Sequence, residues 1–223
     1  MTERIDPAII AGLQEFDSAT VFNALVKQFG LPNEEYTDHT IHCLLPELGS
    51  VVGYAVTAEV TTNDADSPAL DWLDYYAYLE ENTGPLIIVM KDVDTRPGRG
   101  ASFGDGMATV HKRLGVVGAI VDGTVRDLTG IRRVGLPMWA WGTVPGHGVF
   151  QVTRFNTPVT VGQLRIRPGD LILADSDGCV RIPTTHAADI LRLAGEIRQW
   201  EAGIFDFYKS PDFSVQKMRE RAK

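Results

Sequence analysis

The chain has 223 residues, a formal net charge of −8, and 44% hydrophobic against 22% charged residues. That balance can bury a sizeable core and leaves disorder expected only at the ends. It argues against a sequence-independent phosphate-backbone binder, which presents concentrated positive charge, and no apolar run reaches the roughly 18–20 residues that span a bilayer. Neither nucleic acid nor a membrane is therefore expected as a partner, although a locally placed Arg can still bind a small anion. The densest basic groups are IRR at 131–133 and the final QKMRERAK. Cys43 and Cys179 lack CxxC spacing and read as ordinary thiols. The opening MTERIDPAII carries no apolar segment of signal-peptide length, so a reducing cytoplasm is the expected compartment.

Asp6 and Pro7 predict the start of a first helix, and Asp17–Ser18 the start of a second. In the second, Val21, Leu25, Val26 and Phe29 recur at helical spacing until Gly30 and Pro32 stop it. IHCLL (41–45) and SVVGYAVTAEV (50–60) read as strands. SPALDWLDYYAYLEEN (67–82) reads as a helix capped by Ser67 and ended by Gly84–Pro85. LIIVM (86–90) is a short continuous apolar run, as in a strand buried on both faces.

A glycine-rich loop, RPGRGASFGDG (96–106), leads into a helix over 107–114. VVGAIVDG (116–123) predicts a second buried strand, LTGIRRVG (128–135) a short helix and PMWAWG (137–142) a third strand. Residues 157–183 alternate between two turn signals, Pro168-Gly169-Asp170 and Asp177-Gly178, and read as hairpins. A helix over His186–Ala202 precedes a polar tail. The whole of 1–223 reads as one α/β domain mixing parallel crossovers with β-hairpins.

Several motifs do not carry through. Gly98-x-Gly100 with Gly104 lacks the dinucleotide fingerprint's position at the strand end, because Lys91, Asp92 and Asp94 intervene. No GxxxxGK[ST] is present. DSDG (175–178) lacks the Glu of a calcium loop and reads as a hairpin turn. His39 and His42 have metal-compatible spacing but no third ligand, and a solvated loop is expected there. His147, in PGHG, could line a site but is expected on a mobile loop.

Two features survive. RGASFGDG opens a helix whose N-terminal amides could take a carboxylate or phosphate, the plainer alternative being Asp105 as a simple cap. Arg126–Asp127 follows a buried strand, where α/β folds usually build sites. Asp127 alone could be an N-cap for the next helix. Arg126 offers a rigid fork matched to a carboxylate, and an adjacent acid could hold Mg²⁺ through one bond and several waters. Together these groups could bind a 2-oxo acid.

GDGMATVHKRLGVVGAIVDGTVRD resembles the central block of the RraA-like family. That family holds the class II 4-hydroxy-4-methyl-2-oxoglutarate and 4-carboxy-4-hydroxy-2-oxoadipate aldolases and the regulator of ribonuclease E activity. GYAVTAEV (53–60), PMWAWGTVP (137–145) and PVTVGQLRIRPGDLILADSDGCVRIP (158–183) are similar to further family segments, in order from about residue 17 to 203. The resemblance implies a β/β/α swivelling-domain fold assembled as a homotrimer or hexamer with sites between subunits.

It also implies that Arg126 contacts the pyruvyl part of the substrate, beside Gly104, Asp105, Gly106 and Met107. Asp127 would bind the divalent metal, Mg²⁺ or Mn²⁺, and Asp105 its outer shell. A Glu from a neighbouring subunit, Glu196 or else Glu201, would complete that shell. The chain departs from the family at Asn23, where an Asp is frequent, and in EYTDHTIHCLLPELG (35–49) and FDFYKSPDF.

The expected reaction is a metal-dependent retro-aldol cleavage releasing pyruvate, with water near the metal as base and oxaloacetate decarboxylation as a side activity. No lysine suggests a Schiff base. The rival reading is a regulator that masks a ribonuclease; a third is a lyase acting on another 2-oxo acid.

Overall fold

A computed structural model describes residues 4–221, so the last two residues of the basic C-terminal run lie outside the described residues. Helix α1 (Pro7–Gln14) begins where the Asp6 carboxylate accepts the Ala8 N–H. Helix α2 (Ser18–Phe29) begins where Asp17 accepts that of Thr20, and it stops at Gly30 in the left-handed region (φ 85°). Both caps follow the expected chemistry. The expected strand over 41–45 shrinks to β1 (His42–Cys43), because Pro46 opens a short 3₁₀ turn immediately afterwards.

Strand β2 (Val51–Thr61) is followed by helix α3 (Trp72–Glu81). Asp71, not Ser67, caps α3, accepting the Leu73 N–H at 2.8 Å. The next elements alternate: β3 (Leu86–Asp92), α4 (Asp105–Arg113), β4 (Val116–Val125), α5 (Leu128–Val134) and β5 (Met138–Thr143). Strand β6 (Gln151–Phe155) was not expected from the sequence, since QVTRF carries a weak apolar signal. The hairpin region resolves into β7 (Val159–Val161), β8 (Leu164–Ile166), β9 (Leu171–Ala174) and β10 (Cys179–Ile182). Helix α6 (Ala187–Lys209) runs past the expected Ala202 to Ser210–Pro211, and α7 (Val215–Arg221) lies in the tail expected to be merely polar.

The main sheet has the order β1-β5-β4-β3-β2-β9-β10, with β6 also on β2. Strands β2 to β5 are mutually parallel, each joined to the next through a helix. The length of β2 lets it pair antiparallel with β9 along 51–54 and with β6 along 58–61. Alternate residues of each strand then feed two cores. Val56, Ile88 and Met90 face the helices, against Leu25, Tyr75 and Ile190. Ala55, Ile87, Val89 and Trp139 face the β7–β8 hairpin. Burial on both faces is why LIIVM is continuously apolar. Both cysteines are free. DSDG is a hairpin turn as expected, and its Asp175 also accepts the N–H and hydroxyl of Ser18 at 2.6 and 2.8 Å, tying α2 to the sheet. Among the described residues no helix is long and apolar enough to cross a membrane.

His111 on α4 is fully buried among Tyr75, Tyr76 and Phe103. Its Nδ1 lies 2.7 Å from the Met107 carbonyl, which only accepts, so Nδ1 carries the hydrogen and Nε2 accepts the Tyr75 hydroxyl at 3.0 Å. Burial pushes the imidazole down to about 4 from its ordinary 6.5. The folded state thus refuses a proton that the unfolded chain takes, and stability present above about pH 6.5 is lost as pH falls towards about 4. Thermal unfolding across that window should show a falling Tm for the wild type and a shallower fall for His111→Gln. An equal slope in both would contradict this origin.

Candidate active site

The connection from β3 to α4 is long and irregular, and two buried acids hold it. The Asp92 carboxylate accepts the N–H groups of Asp94 at 3.0 Å and Gly98 at 2.6 Å. Burial nonetheless pushes its carboxyl up to about 6. Burial also acts to raise Asp94, but the hydrogen bonds it accepts outweigh this and hold it well below the usual carboxylate range. Its donors are the hydroxyls of Thr61 and Thr62 and the N–H groups of Thr62 and Asn63. The rest of the loop is stitched to β4: Ser102 N–H donates to Thr124 O at 2.7 Å, and Arg126 N–H to Phe103 O at 2.9 Å.

This loop delivers the N-terminus of α4 to the end of β4. Gly104 is the N-cap residue and no side chain caps the helix, so its first amides face outward unsatisfied. Asp105 is the first helical residue rather than the cap. A Cβ on Gly104 would come within 3.1 Å of Asp127 Oδ2 and 3.5 Å of Arg126 Nε, so glycine is what permits the close approach. A Cβ on Gly130 of α5 would collide with the Asp105 carboxylate, which therefore also sits over the start of α5.

Asp127 occupies the cap position of α5 but does not cap it. Its backbone is left-handed (φ 58°, ψ 36°), a strained conformation of the kind that concentrates at functional sites. Its side chain turns instead to Arg126, with Oδ2 3.1 Å from Nε. Both side chains stay about two-fifths exposed.

A cavity of about 260 Å³ collects these groups: residues 103–107 of the loop and α4, Arg126, Asp127, and then Ala101, His147 and Phe150. The expectation for His147 needs correction, since its loop is anchored and carries it to the cavity wall. Gly146 O accepts the Ala101 N–H at 2.8 Å, and Val144 N–H donates to Val125 O at 3.0 Å. Gly148 lies so close to the Thr62 carbonyl that any Cβ would overlap it. Phe150, also left-handed (φ 53°), stacks on Trp72 with ring centroids 4.8 Å apart. His39 and His42 stay outside the cavity.

A larger apolar hollow of about 430 Å³ lies at the opposite ends of the strands, beside Val51, Tyr54, Pro85 and Val117. It has no carboxylate in its lining, so the smaller cavity is the chemically equipped one. Of the expected site residues, Gly104, Asp105, Gly106, Met107, Arg126 and Asp127 meet there. Glu196 does not reach the cavity of its own chain; on α6 it pairs with Lys27 at 2.9 Å and Arg192 at 2.6 Å. Among the described residues no three His, Cys, Asp or Glu side chains form a metal cluster.

The RraA-like family pattern (Aldolase/RraA) matches residues 18–181. The chain belongs to the RraA-like family. A Halalkalibacterium halodurans relative named "Putative 4-hydroxy-4-methyl-2-oxoglutarate aldolase" is 31% identical over 151 residues, 67% of this chain and 68% of that one. The next two curated relatives are matched over only 17% and 49% of their length. Streptomyces coelicolor RraAS2, described as an unusual member of the RNase ES inhibitor RraA family, superposes with TM-score 0.73 at 29% identity, covering 91% of this chain and 98% of its own. An uncharacterized Pseudomonas syringae protein superposes with TM-score 0.79 at 21% identity, covering 99% and 97%, and shares the fold.

The Asp94 cluster holds both sides of the cavity, because Thr62 touches the loop at Gly100 and the strap at Gly148. Asp94→Asn should cost about 1–3 kcal/mol at neutral pH by leaving buried donors unpaired, roughly 2–4 °C of Tm per kcal/mol for a chain of this size. Because the carboxyl is depressed, its contribution is present above about pH 3.8 and lost below it. The Tm gap between variant and wild type should therefore close on strong acidification; a pH-independent gap would contradict this account.

Proposed function

We propose that the chain is a divalent-cation-dependent carbon–carbon lyase. It cleaves a 4-hydroxy-2-oxo acid of the 4-hydroxy-4-methyl-2-oxoglutarate or 4-carboxy-4-hydroxy-2-oxoadipate type to release pyruvate, with oxaloacetate decarboxylation as a side activity. The observation that carries this is the convergence of Arg126, Asp127 and the uncapped start of α4 on one small cavity at the end of β4.

Arg126 would hold the substrate carboxylate through its guanidinium fork, supported by the amides of Gly106 and Met107. Asp127 and Asp105 present hard oxygens on facing elements, a set that suits Mg²⁺ or Mn²⁺ because such ions take one or two carboxylates and keep several waters. Bound there, the cation would supply a Lewis acid for negative charge developing on the keto oxygen. The Arg126 guanidinium would add its fixed positive charge to the stabilisation of that oxygen. Phe150, Phe103 and Met107 give the rest of the cavity an apolar wall.

The site is read as shared between subunits of a homotrimer or hexamer. Glu196 and Glu201 are the acids a neighbour's α6 would offer. Glu201 forms no ion pair among the described residues, so it is the freer of the two. The likeness to RraAS2 supports a second reading, in which the chain binds and masks an endoribonuclease.

A coupled pyruvate assay with both hydroxy acids and oxaloacetate separates the readings. EDTA-sensitive turnover restored by Mg²⁺ or Mn²⁺ is expected, with Arg126→Ala and Asp127→Ala each losing about 10²–10³-fold. No turnover on any of the three, together with tight stoichiometric binding to an endoribonuclease, would replace the lyase reading by the regulator.

A further inference from the structure

We propose that His147 is the catalytic base of the cleavage, taking the proton from the 4-hydroxyl of the substrate. This rests on the lyase reading and names the proton acceptor that the resemblance leaves to water. Among the titratable side chains lining the cavity, Arg126 is permanently charged, and Asp105 and Asp127 are the oxygens assigned to the cation. His147 is the one imidazole on that wall among the described residues.

Its tautomer is fixed by geometry. Nδ1 lies 2.9 Å from the Gly148 carbonyl oxygen, which only accepts, so Nδ1 carries a hydrogen and Nε2 is the ring nitrogen left to face the substrate. The backbone on either side is anchored, at Gly146 to Ala101 and at Gly148 against Thr62, so the ring is presented rather than loose. The ring itself is exposed, which lets it exchange protons with water.

In the step, Nε2 takes the hydroxyl proton as carbon 4 becomes a carbonyl. The bond between carbons 3 and 4 breaks, and its electron pair becomes the enolate of pyruvate on Arg126. The imidazolium gives its proton to water, and carbon 3 takes one proton from water. Neutral histidine and pyruvate result.

Decarboxylation of oxaloacetate reaches the same enolate from a substrate with no hydroxyl to deprotonate. His147→Gln should therefore cut kcat for 4-hydroxy-4-methyl-2-oxoglutarate cleavage about 100-fold or more, while slowing decarboxylation far less, so that the ratio of the two rates shifts. Free imidazole should restore cleavage to His147→Ala, a rescue that no purely structural role would give. Equal losses on both substrates, a change confined to KM, or failure of rescue overturns the assignment. A wild-type chain inactive on both substrates overturns the lyase reading instead.

Discussion

Two buried carboxylates at the end of β3 hold the cavity together. Asp92 and Asp94 gather backbone and hydroxyl donors from residues 61–63, 94 and 98, and so convert a glycine-rich connection into a defined path. The two acids divide the work. Asp94 is ionised and saturated with donors, whereas Asp92 is buried with fewer and its carboxyl rises to about 6. Asp94 also fixes Thr62, against which both the loop at Gly100 and the strap at Gly148 pack, beside the direct bond from Ala101 N–H to Gly146 O.

The sheet decides where that support is placed. Parallel strands β2 to β5 bring their carboxyl ends to one edge, and the loop, Arg126–Asp127 and the 144–150 strap all leave from that edge. The carboxylates of Asp105 and Asp127 and the guanidinium of Arg126 then line one cavity without sharing a helix or strand interior. The left-handed backbone at Asp127 and Phe150 is the local cost of aiming those residues inward.

Much of this was legible in the residues. The buried strands announce themselves as continuous apolar runs, and the caps Asp6 and Asp17 behave as their chemistry demands. The Arg126–Asp127 pair and the 104–107 segment do come together. What the residues conceal has a common cause, namely partners distant in sequence. Asp92 and Asp94 read as spacers because the donors of Asp94 lie some 30 positions upstream. His147 reads as mobile because its anchors, Ala101 and Thr62, belong to other elements. The cap alternative for Asp127 stays open in the residues because nothing local announces that its backbone turns left-handed and leaves α5 without a side-chain cap. Strand β6 is carried by its pairing with β2 rather than by its own apolar pattern.

The most direct measurement is a crystal structure of the protein with Mg²⁺ and oxalate, a planar mimic of the pyruvate enolate. The account predicts the cation against Asp127 and Asp105, and an oxalate carboxylate on the Arg126 guanidinium at the start of α4. Oxalate bound elsewhere, or a cation that leaves both aspartates untouched, would contradict it.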